Sequence, residues 1–592
     1  MKRLLLIALL LHVVVLLLAM PATPWEFDEP LFFQALHRYD PLAHHPPPPG
    51  YPVFILFAQV VRQIMPGDFA TLVLLSVIAA AAGFVFLALA LRNMTGDITL
   101  GVAGAMLFYL SPALLVHSTL PISEPGALAL LAAALYFGSR GDAVKRFAFF
   151  AALTVGWRIQ FAIFVVPLFV VSVLMMKRWR DRAAAVGVFT IVCLAWLTPL
   201  TIAVGGVDEL IRFETAQGEY LAEHDAAVSR SGWTPLMITF RFIAHAWGTK
   251  VTSFPILILA AIGMFVLRRK LAFLPLAVAA AVYIGFALFV MDPADGVRYS
   301  IPFALFMALM AAAGIAGVTA FVARKGGAAL VVVGLLCAGF LIYTGPMLWQ
   351  RRTSPSPPVA AARYARAAMP PNAVALYELP LWPHATYFLA DRNPLRVDRG
   401  LTEYFDRPDV PLFIYADGAT SIPGARTFRW RMSDAYQKLT RKHYGASSII
   451  PLPPQSRFKP LTGVHAPERT QQGREWRWLD SPAEIQLPTG PSRDLTLRLG
   501  LPAEYPFEVN DVVVKVNGVE AARVGLERGK PVDVTVPLPA GSALMRLESR
   551  IAYVPAELAG SLNRDPRRLA VEMYDLRSGA AAARAVRPVA SR

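Results

Sequence analysis

Residues 1–32 read MKRLLLIALLLHVVVLLLAMPATPWEFDEPLF, and the fold class turns on how they are parsed. Met1-Lys2-Arg3 precedes an apolar run, Leu4 to Met20, close to the roughly 20 residues that a helix needs to cross a bilayer. Pro21-Ala22-Thr23-Pro24 has small residues but no Ala-x-Ala cleavage site, so the run reads as an uncleaved first span. Just past it come Trp25-Glu26-Phe27-Asp28-Glu29-Pro30, two adjacent carboxylates at a membrane boundary. Repulsion between them and partial burial would raise the proton affinity of one, which suits general-base work. The alternative is a solvated loop with an Asp-Glu cap before Pro30.

Working outward, the rest of the chain resembles its start. Of 592 residues 55% are hydrophobic and 17% charged, and the mean hydropathy is +0.47, which excludes disorder and an ordinary soluble multidomain enzyme. Further spans are expected at 69–91, 98–112, 125–138, 147–157, 160–176, 184–204, 251–267, 271–290, 300–322 and 328–346. That makes eleven, two of them short, in an α-helical polytopic membrane protein. The net charge of +16 fits cytoplasmic loops facing anionic headgroups better than nucleic acid. Cys193 and Cys337 both lie in apolar runs, so neither a disulfide framework nor a cysteine metal site is available.

Lys and Arg gather on the cytoplasmic side of helix ends. With Met1 inside, Arg92, Arg140 to Arg146, Lys177 to Arg182, Arg268 to Lys270 and Arg324-Lys325 all fall inside. Four connections are then external: 21–63, 111–124, 205–250 and 291–299. The odd span count puts everything after about Trp349 outside as well.

Domain boundaries follow composition. Residues 1–350 form the membrane part, and 351–358 (Arg351-Arg352-Thr353-Ser354-Pro355-Ser356-Pro357-Pro358) read as a polar linker. Residues 359–452 mix a helical stretch, Val359 to Met369, with short strands, as in a small extracytoplasmic α/β unit. Residues 453–592 carry alternating runs expected to form a β-sandwich, ending in a flexible tail. Asn517-Gly518 between Val512 to Val516 and Val519 to Val524 is a hairpin signal, because both positions favour positive φ.

The loop after the first span continues to His44-His45-Pro46-Pro47-Pro48-Pro49-Gly50-Tyr51-Pro52. With Asp28-Glu29 and His45-Pro46-Pro47, the chain resembles the GT-C superfamily of polytopic glycosyltransferases, in its protein-mannosyltransferase and aminoarabinose-transferase branch (glycosyltransferase family 39-like). The resemblance extends to Leu110-Ser111-Pro112 through Ser123-Glu124-Pro125, to Arg158 between two short helices, and to Arg298-Tyr299-Ser300-Ile301-Pro302. Arg158-Ile159-Gln160 stands where related bacterial enzymes often carry Lys-Gly-Pro. The resemblance lies in the order of short motifs over about the first 350 residues.

The resemblance implies transfer of a hexosyl or pentosyl group from a polyprenyl-phosphate sugar to an acceptor hydroxyl on a glycan, lipid or protein. It implies inversion at the anomeric carbon, with Asp28 as base and Glu29 tuning it. Arg158 and Arg298, at external helix ends, are lipid-phosphate candidates because Arg grips phosphate bidentately, with Tyr299 beside them; snorkelling to headgroups is the alternative. His45, Tyr51 and Glu124 are substrate-binding candidates, Glu124 alternatively serving the helix dipole. His37, His44 and His45 match no His-x-x-x-His site; the superfamily admits a divalent ion without requiring one, and no cofactor is assigned.

Glu214, Glu219, Glu223, His224 and Asp225, with Tyr220 and Trp233, form either a substrate-covering loop or, in preference, a charged surface helix. Trp476 and Trp478 stack on sugar or, in preference, belong to the core. Three rivals stand beside the transferase. A transporter would need inverted repeats and mid-helix ionisable residues, whereas the charges here gather at external helix ends. A non-catalytic glycan-binding protein would not need eleven spans. An oligosaccharide ligase or polymerase would use a lipid-pyrophosphate donor. The expected location is a bacterial plasma membrane, with the N-terminus cytoplasmic and the C-terminal region extracytoplasmic.

Overall fold

The computed structural model describes residues 2–225, 234–322, 327–405, 407, 409–422, 424–440, 444–452, 457–469, 475–558, 563 and 565–579. Arg324-Lys325, Trp233, Arg564, the tail beyond Gly579 and the side chains of His224 and Asp225 lie outside the described residues. The chain divides into two compact units, Met1–Ser356 with Arg431–His443, and Pro357–Trp430 with Tyr444–Arg592.

The first unit holds one helix for each expected span: Lys2–Ala19, Asp68–Thr95, Ile98–Tyr109, Glu124–Gly138, Val144–Trp157, Ala162–Met175, Trp179–Ala203, Lys250–Leu267, Leu274–Val290, Ile301–Val322 and Gly327–Thr353. By length and composition, seven stretches among the described residues are long and apolar enough to cross a membrane. The other four helices have 12, 15, 14 and 14 residues, so four are short where two were expected. At 1.5 Å per residue they fall below a full crossing. Ile98–Tyr109 and Glu124–Gly138 bury most of their residues, so they run through the bundle interior. Just past the C-terminal end of the first, Ser111 opens the next turn by accepting the Leu114 N–H.

Local sequence explains the joints. Asp97 accepts the Thr99 N–H at 2.7 Å, and Gly96, at φ +85°, ends the preceding helix in a conformation few other residues tolerate. Gly263 and Gly314 let Lys250–Leu267 and Ile301–Val322 cross closely: a Cβ on Gly263 would sit 1.7 Å from the Met310 carbonyl oxygen. Asn93 bonds Ser139 at 3.1 Å and Lys270 approaches the Thr95 carbonyl at 3.4 Å, which gathers the basic turns at one end. At the other end the Ala22 N–H donates to the Arg351 carbonyl at 2.9 Å.

The stretch 351–358, expected as a linker, is folded. Arg351 to Thr353 complete the eleventh helix, which runs through Pro346, and Pro357 opens the helix Pro357–Ala368. Between them Ser356 is buried, its N–H donating to Thr23 Oγ1 at 2.8 Å. Composition suggested exposure here, but Arg351 is itself wholly buried. Two helices between Lys2–Ala19 and Asp68–Thr95, Glu29–His37 and Pro52–Arg62, were not anticipated.

In the second unit, strands β1 (Val374–Tyr377), β2 (Leu395–Arg396), β3 (Leu412–Asp417), β4 (Arg426–Arg429) and β5 (Ala446–Leu452) form a sheet of order β2-β1-β3-β5-β4, parallel among the first three. Pro357–Ala368 packs its alanines on Ala375, Phe413 and Tyr415, and Val397–Glu403 covers Val374, Leu376 and Leu412 on the other face. Strands β6 (Lys459–Arg469), β7 (Glu475–Gly490), β8 (Arg493–Gly500), β9 (Val509–Val516), β10 (Val519–Glu527), β11 (Val532–Leu538), β12 (Gly541–Ser549) and β13 (Val571–Gly579) form one eight-stranded sheet around a single core rich in Leu, Val and Ile side chains. The second half of β7 (Glu475–Gly490) pairs with β12 (Gly541–Ser549) and its first half with β13 (Val571–Gly579), so one long strand joins the two halves of this single sheet. Asn517 and Gly518 adopt φ of +50° and +84° in the β9–β10 hairpin (Val509–Val516, Val519–Glu527). Trp478 is a core residue and Trp476 packs against that core.

Candidate functional site

Four connections meet at the end of the helical unit opposite the basic turns. In the first, the Trp25 N–H donates to Glu29 Oε2 at 2.7 Å, which closes the turn before Glu29–His37. Asp28 is the N-cap of that helix, yet its side chain makes no capping bond. The carboxylate is 28% exposed and lies 3.4 Å from Arg298 Nη1.

Glu124 begins the helix Glu124–Gly138 and is 2% exposed. Its Oε1 accepts from Arg298 Nε and lies 3.2 Å from Arg158 Nη1, so one oxygen holds both arginines. Glu124 Oε2 has no hydrogen-bond partner among the described residues. Arg158 occupies the break between Val144–Trp157 and the turn Ile159–Phe161. It donates to Ser123 Oγ at 2.9 Å, approaches Tyr51 Oη at 3.5 Å and stacks 5.7 Å from the Tyr51 ring. Trp157 Nε1 donates to the Ser123 carbonyl at 2.9 Å and packs so tightly on Gly126 that a Cβ there would lie 2.2 Å from the ring. This fixes the Arg158 break against the Glu124 turn.

Arg298 is carried by the short turn Gly296–Tyr299, with Asp295 3.7 Å from its Nη1. Buried Arg241 braces that turn from below, donating to the carbonyls of Pro293 (3.1 Å) and Ala294 (2.9 Å). Glu26 also belongs to this field. Burial first, and then the negative charge of Asp295, push its carboxyl up to about 7, while Arg298 opposes them.

Five of the residues singled out from the sequence therefore meet: Asp28, Tyr51, Glu124, Arg158 and Arg298. The others sit elsewhere. Glu29 is wholly buried behind Asp28, and its carboxyl is held well above the usual range by burial and by Glu26. His45 pairs its backbone with Asp40, and burial holds its imidazole below the usual value. His44 is lowered by burial too, although the Asp28 charge opposes this. The Tyr299 carbonyl accepts from Tyr283 Oη at 2.8 Å. His37 bonds Asp68 at 2.9 Å, and among the described residues no group of three His, Cys, Asp or Glu side chains is arranged to hold a metal ion. The donor set does not fit the divalent ion that the resemblance admits. The helix Val207–Tyr220 has no buried residue, as a charged surface helix should.

Sequence reading passed over Glu26, Ser123, Arg241, Asp295 and Arg351. Glu26 stands in the same acidic run as Asp28, and Asp295 lies one helical turn before Arg298, so spacing could have found both. Arg241 and Arg351 carry no such signal.

An apolar groove of 420 Å³ starts at Pro52, the residue after Tyr51, and runs between Pro52–Arg62, Val144–Trp157 and Trp179–Ala203, lined by Pro52, Leu56, Leu153, Ile191 and Trp196. A partly exposed carboxylate and a cation pair held by a buried acid suit proton abstraction beside an anion, and an apolar groove in the same helical unit suits a hydrocarbon tail.

The sequence matches no family profile. It also matches no curated protein. Among solved structures the chain is similar to ArnT from Cupriavidus metallidurans bound to undecaprenyl phosphate, at 12% identity and a TM-score of 0.51, over 75% of this chain and 97% of that one. It is also similar to the apo state of the same ArnT (12% identity, TM-score 0.49, 70% and 93% covered). A third is the Archaeoglobus fulgidus oligosaccharyltransferase in the apo form (12%, 0.45, 70% and 69%). The fold is GT-C-like: a polytopic helical membrane part with a C-terminal sheet region.

Proposed function

We propose that this chain is a membrane glycosyltransferase that moves a sugar from a polyprenyl-phosphate donor to an acceptor hydroxyl on the extracytoplasmic face. The observation that carries the reading is the convergence of Asp28 with Arg298 and Arg158 around Glu124. The ArnT structure of similar fold holds undecaprenyl phosphate, and the apolar groove that starts at Pro52 offers this chain a place for such a tail.

In this reading Asp28 takes the proton of the acceptor hydroxyl as its oxygen bonds to the anomeric carbon. The bond from that carbon to the phosphate oxygen breaks, the electron pair leaves with the lipid phosphate, and attack from the opposite side inverts the centre. Arg298, 12% exposed, meets the charge that develops on the departing phosphate, with Arg158 behind it. Preorganisation is the chief device: Glu124 holds both guanidiniums without substrate, so little has to reorganise during transfer.

Within this reading the donor is a monophosphate, in line with the undecaprenyl phosphate held by the ArnT structure of similar fold; net charge does not choose it, because Arg158 and Arg298 meet Glu124, Asp28 and Asp295. Membranes containing the protein should transfer radiolabelled sugar from polyprenyl-phosphate donors and not from polyprenyl-pyrophosphate donors. Transfer from the pyrophosphates alone would make the chain a ligase or polymerase instead.

A further inference from the structure

Asp28 caps its helix without a bond from its own side chain, so its position depends on what fixes the loop before it. That loop hangs on Trp25, which is fully buried and whose N–H is bonded to Glu29. The Arg351 guanidinium lies over the Trp25 ring at 4.9 Å, and Tyr436, from the segment Arg431–His443 of the same unit, packs on that ring at 5.1 Å.

Arg351 is tied to three further places. Its carbonyl receives the Ala22 N–H at 2.9 Å, and its Nη1 reaches the Val116 carbonyl at 3.4 Å. Glu29 is the foremost opposing charge it meets. Among the described residues neither Glu29 Oε1 nor Arg351 Nε and Nη2 has a hydrogen-bond partner. A buried arginine held chiefly by an indole face and a carboxylate charge is costly as mere packing. It does, however, hold Trp25, the buried anchor of the loop before Asp28, and Trp25 in turn bonds Glu29 just after it.

We infer that Arg351 is a positioning residue: by clamping Trp25, whose N–H holds Glu29 next to Asp28, it sets where Asp28 stands against Arg298. The inference rests on the transferase reading, and it assigns to the end of the last spanning helix a part in the reaction that its composition hides.

The test uses the full-length protein in nanodiscs and compares the parent with Arg351→Gln and Arg351→Lys. Undecaprenyl phosphate binding, donor KM and kcat are measured. A residue that acts only on placement of the base should leave undecaprenyl phosphate affinity and donor KM unchanged while Arg351→Gln lowers kcat about tenfold or more. Arg351→Lys, which keeps the charge and a cation over the indole, should recover most of that loss. Parental kcat in Arg351→Gln overturns the inference. So does a joint loss of folded protein, affinity and kcat that lysine does not restore. If Arg351→Gln does not fold, Trp25→Leu, which removes the ring that the guanidinium lies over, decides: a reduced kcat at unchanged donor KM supports the inference and parental kcat overturns it. A parent that transfers no sugar defeats the transferase reading itself, a result distinct from all of these.

Discussion

At the scale of single residues, Arg298 serves several acids at once, contacting Asp28, Glu124 and Asp295. A phosphate arriving at Arg298 must compete with Asp28 for the same Nη1. Asp28→Asn should therefore bind undecaprenyl phosphate several-fold more tightly than the parent while losing transfer, as read by binding isotherms on the purified protein. Equal affinity would mean that the contact does not restrain Arg298. Glu26 gives a pH test with a fixed sign. Its carboxyl, raised to about 7 by burial and by Asp295, is neutral below that pH and negative above it. Above about pH 7 it opposes an incoming anion together with Asp28 and Asp295, against the attraction of Arg298 and Arg351. Glu26→Gln and parent should bind undecaprenyl phosphate alike at pH 6, with the variant tighter at pH 8. A constant ratio would remove Glu26 from the field. The acids and arginines were legible because charge at a membrane boundary is conspicuous. The clamp of Arg351 on Trp25 was not, since an arginine beside Pro and Ser reads as exposed linker until the chain folds back over it.

At the scale of elements, hydropathy located the seven stretches long and apolar enough to cross a membrane among the described residues, and the four shorter helices expected with them, because an apolar run must satisfy its backbone internally. It could not fix their lengths. Ile98–Tyr109 and Glu124–Gly138 stop short because neighbouring helices bury them, and burial within protein leaves the same apolar composition as contact with lipid. The helices between Lys2–Ala19 and Asp68–Thr95, Glu29–His37 and Pro52–Arg62, escaped because Pro and His dominate the text around them. The crossing at Gly263 and Gly314 is equally silent in hydropathy. Gly263→Val should lower the thermal midpoint of the purified protein steeply, since overpacking against a backbone carbonyl costs ~1–3 kcal/mol or more. Gly187→Ala, where a Cβ meets nothing within 4 Å, should leave the midpoint unchanged.

At the scale of the whole molecule, the two ends of the helical unit differ in kind. One gathers Arg92, Arg140 and Lys270 at short turns, and the other gathers the acids and the two arginines of the site. Because positive loops stay inside, the site end should be external. A cysteine placed at exposed Leu42 should react with a membrane-impermeant maleimide in intact cells, and one at Arg140 only after permeabilisation. The reverse pattern would invert the topology. The central claim is that Asp28 is the base of a lipid-phosphate-dependent transfer, and a single-turnover assay tests it most directly. Parent and Asp28→Asn, each preloaded with a radiolabelled polyprenyl-phosphate sugar that the parent accepts, are mixed with acceptor. The account predicts transfer by the parent and at least a hundredfold slower transfer by the variant, in line with the roughly 10²–10⁴-fold contribution of a general base. Transfer at the parental rate by Asp28→Asn would contradict it.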